Sequence, residues 1–235
     1  YIQTYEGKTF VIKYGGAVMT DEKLKQTFAK DVTILRKIGI NIIIVHGGGK
    51  EITDTAAALG IGTRFVDGQR YTDEKMIEVV LMVLAGLVNK EIVSLINTNG
   101  GNAVGLCGVD NLLLKARKLS NNGTDLGLVG EIVWVNVSFL NLLLQNGMMP
   151  VIAPLGVGDG GQMYNINADL AAGAVAAALK AEKLVYLSDT EGILVNGKLI
   201  STLTKSKADK LISQGAIFGG MIPKVTSAFN TLDAG

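Results

Sequence analysis

The chain of 235 residues contains one histidine, one cysteine, one tryptophan and three prolines. Each shortage removes a class of chemistry. His46 is the sole histidine, so no His-rich or Cys/His metal centre can form within one chain, and Ser-His or Cys-His nucleophilic catalysis has only that residue to use. With Cys107 alone, an intramolecular disulfide is impossible, which suits a reducing compartment. The 22 Lys+Arg and 21 Asp+Glu nearly cancel, so there is no basic surplus for nucleic acid and no run of like charge for a tail. The longest apolar stretches, "VVLMVLAGLV" (79–88) and "AAGAVAAAL" (171–179), fall short of the roughly 18 residues of a membrane span and read as buried helices. The opening "YIQTYEGKTFVIKYGG" lacks the charged, apolar and small-residue succession of a signal peptide. The chemistry is left to lysine, aspartate, backbone N–H groups and a hard cation bound by oxygen.

What is abundant is glycine, 30 residues, in a chain that is 48% hydrophobic. Buried strands are expected at 9–14 and 40–45, each followed by a glycine turn and then a helix (21–38 and 50–60). Residues 62–71 read as an exposed hairpin and 73–98 as a long helix with Gly86 inside it. Short strands at 103–107, 112–118 and 127–135 precede a helix at 137–146. The second half continues with a strand at 149–154, a glycine-rich hairpin at 156–164, a helix at 168–181 and a strand at 183–188. A hairpin around "NG" (196–197) suits a type I′ turn, and helices at 204–214 and from about 222 complete the pattern. Strand–turn–helix alternation of this kind predicts an α/β fold with an open, mostly parallel central sheet between helices. No linker divides the chain, which reads as one domain with two lobes.

Both early βα turns are glycine-rich: Gly15 and Gly16, then Gly47, Gly48 and Gly49. Such turns either simply reverse the chain or let backbone N–H groups approach an anion at the carboxyl ends of the strands; two on neighbouring strands favour the anion site. The P-loop pattern is absent, and "GVGDGG" (156–161) leads into "QMYNINAD" rather than a helix, so it reads as a hairpin loop and not a dinucleotide fingerprint. Lys13 lies at the end of an apolar strand, where it either snorkels out or meets an anion. Lys224, in "GGMIPKV", opposes the dipole of the helix it begins unless an anion sits there. Arg70 is either a solvated loop residue or a carboxylate clamp. In "NINADLAAG" (165–173), Asn167 caps a helix with Asp169 in its first turn, or the polar groups face a ligand.

Six stretches, "VIKYGGAVM" (11–19), "IIIVHGGGKEI" (42–52), "VLAGLVNKEIVSLIN" (83–97), "YNINAD" (164–169), "LSDTEGIL" (187–194) and "GGMIPKV" (219–225), together resemble the N-acetyl-L-glutamate kinases, a branch of the amino acid kinase family. The resemblance runs in order through essentially the whole chain. It departs at Lys50, where the family commonly has proline after the triple glycine, and at "QRYTD", where "LRVTD" is usual.

The resemblance implies ATP-dependent phosphorylation of the side-chain carboxylate of N-acetyl-L-glutamate, the second step of arginine synthesis through acetylated intermediates. Lys13 and Lys224 match lysines that flank the transferring phosphoryl group, and Asp169 the aspartate that orients them. Gly48, Gly49, Arg70 and Asn165 match positions that bind the acetylated amino acid. Gly15 and Gly16 match the phosphate-binding turn; Asp189, Gly192, Gly219, Gly220 and Met221 fall in segments around the nucleotide. Mg²⁺ would travel with the nucleotide's phosphates, so no dedicated metal residues are expected. On the same resemblance, about 1–150 form the lobe for the acidic substrate and the dimer helix, and about 151–235 the nucleotide lobe. Relatives continue past the position of Gly235, so the sheet is expected to be truncated at its C-terminal end. A homodimer is implied, with a hexamer, arginine inhibition and a PII-type signalling partner in the full-length protein, in cytoplasm or plastid stroma. The alternatives are a kinase acting on carrier-bound aminoadipate or glutamate, and a non-catalytic amino-acid sensor on the same fold; a sensor would have lost a lysine or the aspartate, and all three are present.

Overall fold

The computed structural model describes residues 2–66, 68–120, 124–188, 192–195, 197–218 and 221–234. After a short helix α1 (Ile2–Tyr5), strand β1 (Thr9–Tyr14) leads through a glycine turn to α2 (Glu22–Lys37), and β2 (Asn41–His46) to α3 (Gly49–Ala58). A small hairpin, β3 (Phe65–Val66) and β4 (Gln69–Arg70), precedes a long helix built of α4 (Glu74–Leu81), a π-helical segment Met82–Val88 and α5 (Asn89–Thr98). Then come β5 (Ala103–Cys107), β6 (Leu114–Lys118), β7 (Gly130–Val135), α6 (Val137–Gln145), β8 (Met149–Ala153), β9 (Leu155–Val157) and β10 (Met163–Asn165). The chain continues with α7 (Ala168–Leu179), β11 (Lys183–Tyr186), β12 (Leu194–Val195), β13 (Lys198–Leu199), α8 (Lys205–Ser213) and α9 (Met221–Ala234).

The central sheet has five strands in the order β11-β1-β2-β8-β5, every pair parallel. Its inner strands carry continuous apolar runs, such as Phe10–Ile12 and Ile42–Val45, because both faces are covered. Phe10, Ile12, Ile42 and Ile44 point into one core with Phe28, Ile52, Val80 and Leu84. Val11, Ile43 and Val45 point into the other with Leu140, Ala171 and Val175. The small residues expected to pack in "AAGAVAAAL" do so: Ala171, Ala172, Gly173, Val175 and Ala176 are buried. The glycine-rich hairpin forms as expected, β9 antiparallel to β10. It belongs to a second sheet in the order β10-β9-β6-β7. β12 and β13 pair as a hairpin, although Asn196 of its "NG" turn lies outside the described residues.

Two expectations need correction. "VVLMVLAGLV" is not buried throughout: Met82 is 53% and Leu87 59% exposed, while Val83, Leu84 and Val88 are buried. A run without polar residues hides which face turns outward, and the π-helical segment around Gly86 further shifts the periodicity. This long helix, Glu74–Thr98, is apolar and long enough to cross a membrane by length and composition, yet one face packs in the core. The strand expected over 112–118 starts at Leu114, because Asn111 and Leu112 take positive φ of 50°. The remaining boundaries agree within a few residues.

Candidate functional site

The carboxyl ends of β1 and β2 lie side by side, with Tyr14 in register with His46. The chain leaves β2 through Gly47 and Gly48. Gly48 has φ +154°, and a Cβ there would meet Leu84 Cδ2 at 2.5 Å, so only glycine fits. It precedes α3 without a side-chain cap, so the first N–H groups of α3 face a cleft, with the helix dipole behind them. Gly15 and Gly16 line the same cleft with Lys13, Gly47–Gly49, Lys50 and Glu51, enclosing about 490 Å³. The Lys13 ammonium curls over Gly15, where an added Cβ would lie 2.7 Å from Nζ.

Lys13 does not snorkel to solvent. Its Nζ lies 3.1 Å from Asp169 Oδ1, and the two side chains are 12% and 20% exposed. Asp169 sits in the first turn of α7, whose N-cap is Asn167: its side chain accepts from the N–H of Asp169 at 2.8 Å and of Leu170 at 3.2 Å. The cap reading of "NINAD" is therefore realised by Asn167, while Asp169 turns to Lys13 and Lys224. Lys224, in the first turn of α9, places Nζ 3.6 Å from Asp169 Oδ2. One carboxylate thus holds two ammonium groups from opposite ends of the chain, which offsets their mutual repulsion and the unfavourable helix position of Lys224. Asp169 Oδ1 is sealed from solvent without an aligned hydrogen-bond donor, so its link to Lys13 is a charge contact.

A second cleft, of about 180 Å³, opens from the same glycines and is lined by Arg70, Phe65, Asn165 and Asn167 among others. Arg70 is 7% exposed, which excludes the solvated-loop reading. Its Nη2 donates to the Gly49 carbonyl at 2.7 Å and to Thr53 Oγ1 at 2.8 Å, and its guanidinium lies over the Phe65 ring. Nη1 is buried without a partner. Burial pulls the Arg70 pKa down, but a guanidinium keeps its charge at any working pH. Arg70 lines the cleft with one cationic donor left unpaired, and such a donor calls for an anion. Across the cleft, Asn165 Nδ2 donates to Thr72 Oγ1 at 3.1 Å, and Thr72 donates to the Arg70 carbonyl at 3.0 Å.

A third, more apolar cleft of about 170 Å³ lies beyond Lys224, between Tyr186, Gly192, Ile193, Met221 and Val225. Gly192 and Met221, expected around the nucleotide, line this cleft; Asp189, Gly219 and Gly220 lie outside the described residues. Among the described residues no group of three His, Cys, Asp or Glu side chains is placed to hold a metal ion. His46 is fully buried, its pKa pushed down to about 4 by desolvation. It is neutral and has no path to a reacting group, which removes the one histidine-based mechanism the composition allowed. Sequence reasoning named His46 only as the one histidine open to nucleophilic catalysis and did not single out Thr53, Thr72 or Asn89, for which the sequence carries no local signal.

The model of the amino acid kinase family matches residues 8–235. Acetylglutamate kinase from Chlorobaculum tepidum is 56% identical over 235 residues, covering 100% of this chain and 82% of that protein. The acetylglutamate kinase of Aquifex aeolicus is 51% identical, covering 100% and 84%. Among solved structures, N-acetylglutamate synthase from Neisseria gonorrhoeae, complexed with coenzyme A and N-acetyl-glutamate, is similar with a TM-score of 0.86 at 28% identity; the match spans this whole chain and 54% of that one. With the Lys13–Asp169–Lys224 arrangement at the carboxyl ends of a parallel sheet, the chain belongs to the amino acid kinase family, and within it to the acetylglutamate kinases.

Proposed function

We propose that the protein transfers the γ-phosphoryl group of MgATP to the side-chain carboxylate of N-acetyl-L-glutamate, giving N-acetylglutamyl 5-phosphate and ADP in arginine synthesis. The observation that carries this reading is the buried, unpartnered Nη1 of Arg70, a residue lining a cleft that shares Gly47, Gly48 and Gly49 with the cleft lined by Lys13, which Asp169 holds together with Lys224. Arg70 and Asn165 would bind the acetylated amino acid, with Gly48 and Gly49 presenting N–H groups. The nucleotide would lie over Gly192 and Met221, its phosphates running past Lys224 to the Gly15–Gly16 turn. The magnesium ion comes with the nucleotide as substrate, held by its phosphates and water.

One acceptor carboxylate oxygen attacks the γ-phosphorus in line; the bond from phosphorus to the β–γ bridging oxygen breaks, and its electrons leave with ADP. The carboxylate is already ionised at neutral pH, so no general base is needed, and a neutral, buried His46 is no handicap. The barrier is the approach of two anions and the charge on the equatorial oxygens. Lys13, Lys224 and the glycine N–H groups offset both. Asp169 keeps the ammonium groups in place without itself meeting the phosphates. The exposed Met82 and Leu87 support a homodimer joined through the long helix. Arginine inhibition and higher assembly belong to the same reading and are open to sedimentation with arginine titration. Hydroxylamine trapping tests the reaction itself: MgATP with N-acetylglutamate should give the acyl hydroxamate, and glutamate, N-acetylaspartate or aminoadipate little. Equal yields from every acceptor, or none from N-acetylglutamate, would refute it.

A further inference from the structure

Asn89 is fully buried at the start of α5, where the π-helical segment ends. Its surroundings fix which way the amide points. Lys90 Nζ, which can only donate, lies 3.0 Å from Asn89 Oδ1. The Val151 carbonyl, which can only accept, lies 2.9 Å from Nδ2, and the Leu106 carbonyl 3.4 Å. The amide therefore cannot be flipped. Its other Nδ2 hydrogen meets His46 Nε2 at 3.1 Å, so Nε2 must be the bare acceptor nitrogen. Nδ1, 2.7 Å from the Gly47 carbonyl, must then carry the proton and donate it. Every polarity along Lys90, Asn89, His46 and Gly47 is determined.

The Gly47 carbonyl belongs to the same peptide plane as the Gly48 N–H. There are no cis peptide bonds among the described residues, so the N–H points opposite to the carbonyl. Anchoring the carbonyl inward on His46 aims the Gly48 N–H outward, at the junction of the two clefts that Gly48 lines. The Gly47 N–H is itself tied to the Tyr14 carbonyl at 2.8 Å, so this turn is pinned on both sides. We propose that Lys90, at the surface, and the buried Asn89 and His46 form a hydrogen-bond relay whose task is to position the Gly48 amide for the acceptor. They are positioning residues, acting through the backbone. Burial and the nearby Lys90 charge both disfavour imidazolium, so the relay keeps one tautomer across the working pH range.

The kinetic part of the test rests on the kinase reading; the spectroscopic part does not. His46 is the only histidine, so ¹⁵N NMR of the whole chain reports a single ring. Wild-type protein should show Nδ1 protonated and Nε2 bare at pH 7; a protonated Nε2 would overturn the proposal. Asn89→Asp is nearly isosteric, and its ionised carboxylate presents only acceptors, so Nε2 must gain a proton to face the ionised form. In that variant the ring should become imidazolium, and KM for N-acetylglutamate should rise about tenfold from displacement of the glycine turn. KM for ATP should stay within about twofold, since the nucleotide-side residues are untouched. Should wild-type protein fail to phosphorylate N-acetylglutamate, the kinase reading falls and the tautomer result alone decides the relay. A folded variant with the wild-type tautomer, or with both KM values rising together, would contradict it.

Discussion

Replacing Arg70 with lysine keeps a cation but removes the fork. In the native site Nη2 is committed to the Gly49 carbonyl and Thr53 Oγ1, at 2.7 and 2.8 Å, leaving Nη1 for the ligand. A lysine ammonium can satisfy those internal acceptors or reach the cleft, not both. The expected loss is one charge-assisted hydrogen bond to the acceptor, about 1.5–3 kcal/mol. At about 1.4 kcal/mol per tenfold, R70K should raise KM for N-acetylglutamate roughly ten- to a hundredfold. KM for ATP should change less than about twofold, because Arg70 lines only the acceptor cleft. Initial rates against each substrate measure this, and calorimetric binding of N-acetylglutamate separates affinity from rate. Thermal unfolding checks that the buried position tolerates the change. A folded R70K protein with both KM values within about twofold of wild type would refute the clamp.

Lys13→Ala and Lys224→Ala should each lower kcat by about a hundredfold or more, and the double variant by less than the product of the two, because both charges serve one phosphoryl group. Independent, small losses in single-turnover rates would contradict the shared role. Gly48→Ala places a Cβ 2.5 Å from Leu84 Cδ2 at a φ of +154°, and should cost about 1–3 kcal/mol in urea unfolding. The His46 pKa of about 4 lies below its unfolded value near 6.5. Its contribution to stability is therefore complete above pH 6.5 and is lost as pH falls toward 4. Between pH 7.5 and pH 5 this group should remove about 2 kcal/mol, a difference that His46→Gln should abolish in parallel urea titrations.

Much of the fold was legible because the apolar strands and glycine turns are local signals. The strand "TFVIKY" announced itself by burial on both faces, and Lys13 stood out within it as a charge needing a partner. Lys224 was legible for the same reason, as a cation at the wrong end of a helix, and Asp169 resolves both anomalies at once. Asn167 was legible as a cap because capping depends only on the next three residues. What stayed hidden depends on long-range contacts. Thr53 and Thr72 hold Arg70 and Asn165 across separate elements. His46 and Asn89 meet across 43 positions of sequence. The exposure of Met82 and Leu87 was equally hidden, since a wholly apolar run gives no contrast between its faces.

The central claim is that the cleft beside Arg70 delivers a carboxylate oxygen to the γ-phosphorus in front of Lys13 and Lys224. ³¹P NMR of the wild-type reaction tests it most directly, using MgATP and N-acetylglutamate labelled with ¹⁸O in its side-chain carboxylate. The account predicts an acyl-phosphate resonance bearing the ¹⁸O isotope shift, because the labelled oxygen becomes the bridge to phosphorus. Release of inorganic phosphate without a labelled acyl phosphate, or no consumption of ATP, would contradict it.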